Sequence, residues 1–312
     1  MKFSSRAERI DPFYVMEVAK AAQAMAREVA GTSEPMIFLN IGEPDFTAPP
    51  LVQEAAAKAV RDGATQYTNA LGLDALRERI SGWYQSRFGV DVPARRIVVT
   101  AGASAALHLA CLALIERGDE ILMPDPSYPC NRHFVSAAEG RAVLVPTTAA
   151  ERYQLSSDKV QAAWTDKTGG VLLASPSNPT GTSIAPAELR RIHEVVQARG
   201  GVTMIDEIYL GLSYEEEFGH TALAIDEHII SINSFSKYFN MTGWRLAGWW
   251  CLTPWCPWWR GWHKTFSSAP APCRNRPPWP ALKPRALPNT NAAAPSSRRA
   301  AITSSRPCSR WG

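Results

Sequence analysis

One lysine, Lys237, stands in the stretch SINSFSKYFNMTGWRLAG (231–248), directly behind the largely apolar run HIISIN. A lysine at the mouth of a crevice has limited access to water. Partial burial lowers the pKa of an amine and makes it a nucleophile towards carbonyls near neutral pH. Ser234, Ser236 and Arg245 add two hydroxyls and a guanidinium, a set suited to a phosphate dianion. A surface lysine in a serine-rich loop reads the same way in isolation. In MIDEIY (204–209) an apolar run ends on Asp206, with Tyr209 close behind. A carboxylate at the buried end of a strand is costly unless a cation pairs with it; the alternative is that Asp206 caps the next segment. TAGASAAL (100–107) opens a helix with Gly102, Ala103 and Ser104, whose small side chains leave the backbone N–H groups free for an anion. A tight turn capped by Ser104 fits the same letters. In SPSNPTG (175–181), Asn178 is held between prolines with its amide available, or simply makes a turn.

The elements around these stretches place them. Val15, Val18, Ala22, Met25 and Val29 recur at alternating three and four, which predicts an amphipathic helix ended by Gly31. MIFLNIGEPDF (36–46) predicts a short strand running into a turn, and LVQEAAAKAVRDG and LDALRERISGWYQSRFG predict two helices. From residue 96 onward strands alternate with helices: RIVVTAG, ASAALHLACLALIERG, EILMPDPSY, RAVLVP, GGVLLASPSNPTG, PAELRRIHEVVQARG, VTMIDEIY and HIISINSFSK. That alternation predicts an α/β fold, a three-layer α/β/α domain with a mostly parallel sheet. Ligands of such sheets bind beyond the carboxyl ends of the strands, and each of the four stretches lies just past one.

Taken together, the four call for one ligand with a phosphate, a carbonyl for Lys237, a ring cation for Asp206 and a polar ring substituent for Asn178 and Tyr209. Pyridoxal 5′-phosphate (PLP) has all of these. The segments LNIGEPDF, YTNALGLDALRERI, TAGASAAL, PDPSYP, SPSNPTG, IDEIY and SFSKYFNMTGWRLAG, in this order over about residues 10–250, resemble the class I/II aminotransferases of the fold type I PLP enzymes.

The resemblance implies roles. Lys237 would bind the cofactor's aldehyde and shuttle the proton, and Asp206 would pair with the protonated ring nitrogen. Asn178 and Tyr209 would hold the phenolic oxygen, and Tyr128 would stack on the ring. Gly102, Ala103, Ser104, Ser234, Ser236 and Arg245 would cradle the phosphate, and Tyr67 would reach the phosphate of a neighbouring subunit in a homodimer. Gly42 and Asn178 would face the substrate. The implied activity is transfer of an amino group from an amino acid to a 2-oxo acid. The alternatives are another fold type I reaction, a lyase or decarboxylase, or an inactive truncated aminotransferase. The implied organisation is 1–45 as small-domain segment and dimer arm, 46–250 as the PLP-binding large domain, and 251–312 as an irregular tail.

Charge and cysteine usage bound the rest. Of the 33 Lys and Arg, ten fall in 251–312, together with none of the 29 Asp and Glu; the first 250 residues thus hold 23 basic against 29 acidic residues, a net of −6. That balance suits an enzyme of small metabolites and does not ask for nucleic acid. Cys111 and Cys130 are the only cysteines before residue 251, which is no disulfide framework. With neither a signal peptide nor a run long enough for a membrane span, a cytoplasmic, soluble chain is expected. The tail holds eleven of 24 prolines and six of eleven tryptophans and keeps no helical or strand period. Such a composition matches GC-rich DNA read out of frame, so a frameshift near residue 250 is expected; a native low-complexity basic extension is the alternative. Cys251, Cys256, His263 and Cys273 lack the CxxC pairs of zinc sites, and no metal is expected.

Overall fold

A computed structural model of the protein describes residues 2–250. The expectations for the 251–312 tail, including its Cys/His set, lie outside them.

The helices and strands run in the order α1 (Ser5–Glu8), α2 (Tyr14–Glu28), α3 (Pro50–Arg61), α4 (Asp74–Phe88), β1 (Ile97–Thr100), α5 (Ala103–Leu114), β2 (Glu120–Asp125), α6 (Cys130–Ala137), β3 (Arg141–Pro146), α7 (Ser157–Ala163), β4 (Thr168–Ala174), α8 (Pro186–Ala198), β5 (Val202–Asp206), β6 (Ile230–Ser234) and β7 (Ala247–Trp250). The strands form one sheet in the order β1-β7-β6-β5-β4-β2-β3. β2 to β6 pair in parallel, and β7 enters antiparallel between β6 and β1.

Alternation of side chains along each strand sends its residues to two cores. Leu172 and Met204 pack with α5 and α6, while their neighbours Val171, Leu173 and Ile205 pack with α7 and α8. Both faces are therefore dry, which is why the strands read as unbroken apolar runs. A third cluster joins α4 to β1 and to the turn after β6 through Leu76, Tyr84, Ile97, Phe235 and Phe239. Each fully buried aliphatic or aromatic side chain contributes about 1.5–3 kcal/mol, so the strand ends that carry the polar residues rest on a stiff base.

Two expectations are corrected. Residues 36–46 form no strand: they join no β-ladder, and Ile37 and Leu39 are 76% and 90% exposed. The letters carry the strand pattern, but a strand exists only where a partner takes its hydrogen bonds. Helix α2 forms, yet Val18 and Met25 point outward; Val15, Ala19, Ala22, Ala26 and Val29 make the packed stripe instead. The two faces differ by one residue position, and the helix turns its smaller side chains to the protein. α6, α7 and β7 were not legible as elements; the two helices span eight and seven residues, too short for a periodicity. No helix among the described residues is long and apolar enough to cross a membrane.

Candidate active site

The carboxyl ends of β4, β5 and β6 open on a cavity of about 430 Å³. It gathers Ala103, Ser104, Asn178, Asp206, Tyr209 and Lys237, six of the residues picked out by type and spacing, together with Gly42 and Tyr128, which the resemblance implied. Asn40, Leu107, Pro176 and Ile208 complete the walls, with Phe13, Val15 and Met16 closing one side from the N-terminal segment.

Lys237 sits in the turn after β6, half-buried, with its Nζ donating to the Gly42 carbonyl at 2.5 Å and lying 5.9 Å from the centre of the Tyr209 ring. Burial lowers its pKa, and the nearby Arg245 charge adds to the effect, while Glu43 opposes both. A larger fraction of neutral amine follows. Glu43 also accepts a hydrogen bond from Thr242 Oγ1. The segment 42–43 is thus tied to both sides of the lysine turn, a role for Glu43 that the sequence reading missed. A carboxylate wedged between Gly42 and Pro44 was the available signal.

Asp206 ends β5 with 8% of its surface exposed. Its Oδ1 accepts one backbone N–H, from Ile208 at 3.0 Å, and no Lys, Arg or His pairs with it among the described residues. Burial pushes its pKa up to about 6. The hydrogen bond to Ile208 resembles a cap, as the alternative reading held, but it leaves the carboxylate without a cation inside a cavity. Tyr209 and Asn178 share the cavity wall, and burial together with the Asp206 charge holds the Tyr209 phenol above its ordinary range. Tyr128 is raised likewise by burial and by its contact with Cys130. Its ring meets Phe13 edge-on, with centroids 6.0 Å apart.

Helix α5 begins at Gly102, and no side chain caps it. Ser104 does not play that part, so the first N–H groups of the helix, at Ala103 and Ser104 on the cavity wall, have no capping side chain. Gly102 has φ +94°, and a Cβ there would sit 2.3 Å from Nη2 of Arg245. Only glycine allows both the turn and the guanidinium lying across it. Ser234 and Ser236 are buried and do not line the cavity; the Ser234 hydroxyl donates to Ser236 Oγ at 3.0 Å and accepts the Ser236 N–H at 3.1 Å. Tyr67 is 98% exposed and away from the cavity. Among the described residues no cluster of three His, Cys, Asp or Glu could hold a metal ion.

Comparison with known proteins follows the same residues. The family model "Aminotransferase class I and II" matches residues 34–273, past residue 250 and across KTFSSAPAP (264–272). A putative aminotransferase, YugH, of Bacillus subtilis is 38% identical over 237 residues, which is 75% of this chain and 61% of the relative. A valine–pyruvate aminotransferase of Mycobacterium tuberculosis is 38% identical over 246 residues, 78% of this chain and 62% of the relative. The chain spans about three-fifths of the length of these curated relatives. Among solved structures, an aspartate aminotransferase of Thermus thermophilus with maleate superposes with TM-score 0.89 at 26% identity, over 96% of this chain and 78% of that one. An aminotransferase of M. tuberculosis superposes with TM-score 0.87 at 34% identity, over 94% and 74%.

Proposed function

The chain belongs to the class I and II aminotransferase family, and from that premise we propose that the cavity binds PLP and serves the transfer of an amino group from an amino acid to a 2-oxo acid. One observation carries the reading: a single cavity joins an amine below its ordinary pKa, a buried carboxylate without a cation, and the uncapped start of α5. These three match the aldehyde, ring nitrogen and phosphate of PLP.

When bound, PLP supplies an aldehyde and a protonated ring that stabilises negative charge at a substrate's α-carbon. The chain supplies the rest. Asp206 would keep the proton on the ring nitrogen, because a cation beside it relieves the cost of its own burial. Asn178 and Tyr209 would hold the phenolic oxygen, and Tyr128 would cover a ring face. The N–H groups of Ala103 and Ser104, with Arg245 across Gly102, would hold the phosphate, backed by Ser234 and Ser236. Lys237 Nζ would take a proton from the substrate's α-carbon and return it, which a half-buried amine of lowered pKa does near neutrality. Gly42 and Asn178, both on the cavity wall, would face the substrate. We place a homodimer in the same reading, with the exposed Tyr67 offered to the phosphate site of a second copy.

The test is an absorbance spectrum of the full chain with added PLP, beside Lys237→Ala, before and after a panel of amino donors. A visible band that is absent in the variant, bleached by a donor and restored by a 2-oxo acid is the expected result. Product formation without that bleaching would move the assignment to a lyase or decarboxylase. No band in a chain with intact circular dichroism would sink the reading.

A further inference from the structure

Behind the cavity, on the α4 side of the sheet, polar residues cross an otherwise apolar cluster. Glu207, 1% exposed, accepts from Ser231 Oγ at 2.5 Å, from Thr221 Oγ1 at 2.8 Å and from the Ala222 N–H at 2.7 Å. Tyr84 on α4, buried among Trp83, Phe235 and Phe239, lies close enough to this group to feel the Glu207 charge. Its hydroxyl accepts from Asn233 Nδ2 at 2.9 Å. The Asn233 Oδ1 then accepts the backbone N–H of Ser234 at 2.7 Å, at the entry to the turn that carries Lys237.

Packing alone does not explain these residue types. A phenol, an amide and a carboxylate taken from water are retained at a cost of a few kcal/mol each unless bonded, and apolar residues of similar volume would fill the same space. The two ends of the series are instructive. Glu207 follows Asp206, and Ser234 lies three residues before Lys237. Between them the pairing of β5 with β6 stops at Asp206↔Ile232, closed by a last backbone bond from the Glu207 N–H to the Ile232 carbonyl at 2.7 Å, while β6 stays paired with β7 as far as Ser234; beyond this point no backbone bond among the described residues joins the ends of β5 and β6.

We infer that Glu207, Ser231, Tyr84, Asn233 and Ser234 form a buried positioning chain that sets the Lys237 turn against Asp206 where the pairing of β5 with β6 has ended. None of the five touches the reacting atoms by this account except through Ser234 and its partner Ser236. The inference rests on the PLP reading above, since it concerns how two residues of that site are held.

The experiment titrates the full chain with PLP and follows the visible band and the thermal midpoint for the unaltered chain, Tyr84→Phe, Asn233→Ala, the double variant, and Leu76→Ala. Leu76 lies on the same helix and in the same cluster but outside the polar series. The expected result is about a tenfold loss of PLP affinity in each single variant, the equivalent of one net hydrogen bond. The visible band at saturation should also be weaker, and the double variant should lose less than the product of the two because they share a path. Leu76→Ala should lower the thermal midpoint while leaving affinity and band intact. Asn233 is half-buried, so its variant keeps the test open if Tyr84→Phe fails to fold. If Tyr84→Phe or Asn233→Ala binds PLP as the unaltered chain does, or if Leu76→Ala loses as much affinity, the positioning chain is overturned and the PLP reading stands. An unaltered chain that forms no band would overturn both.

Discussion

The two sides of the β5 end treat neighbouring carboxylates in opposite ways. Among the described residues, Asp206 on the cavity side has a single N–H donor and no cation, while Glu207 on the core side has three donors. Burial dominates both, pushing Asp206 up to about 6 and Glu207 up to about 7, where the charge of Asp206 adds to the effect. Donor count therefore does not decide how strained a buried acid is. It decides whether the strain is settled within the chain. The core side is complete and belongs to positioning, whereas the cavity side lacks a cation and belongs to a ligand.

Replacing each acid separates the two sides most sharply. Asp206→Asn should weaken PLP binding by about two to three orders of magnitude, the size of a broken buried ion pair. The same variant should melt higher than the parent without PLP at pH 8, because it removes an unpaired buried charge. A lower melting point for the ligand-free variant would contradict this account of the cavity. Glu207→Ala should instead destabilise the ligand-free chain by about 2–4 kcal/mol, since it strands three buried donors; denaturant unfolding measures it.

A pH series sharpens the comparison further. Both acids have folded-state values above their ordinary 3.8 and 4.5, so the folded chain holds protons that the unfolded chain has released. The stability they contribute is whole below about pH 4 and is lost as pH rises through 6 to 7. For Asp206 that amounts to about 2–3 kcal/mol. The gap in thermal midpoint between Asp206→Asn and the parent should accordingly widen from pH 4 to pH 7; a gap independent of pH would refute it. The smallest effect is expected at Gly102→Ala, where φ +94° and the Arg245 guanidinium both resist a methyl group. The strain of about 1–2 kcal/mol should appear as a loss of PLP affinity of about tenfold, read by the same titration.

Much of the site was readable before the fold. Lys237, Asp206 and Asn178 each follow an apolar run, so strand-end placement followed from pattern alone, and the cavity collects them as expected. Segment 36–46 shows the limit. Its letters suit a strand, and its apolar residues remain exposed because pairing is a property of two segments, not one. The α2 stripe shows another limit: spacing predicts a face to within a residue, but the neighbour's shape decides whether Val18 or Ala19 turns inward.

The sequence by itself determined the residue types, their order and the alternation of buried strands with helices, because hydrophobic period and chain direction are local properties. It also put an amine, an acid and a helix start of small residues just past strand ends. Only the tertiary structure decided that Arg245 lies across Gly102, that Ser234 and Ser236 bond to each other behind the cavity, and that Glu207 reaches Ser231 while Tyr84 reaches Asn233. Those contacts join residues up to 149 positions apart. The distances and angles on which a hydrogen bond depends are set by how the layers pack, which no local spacing encodes.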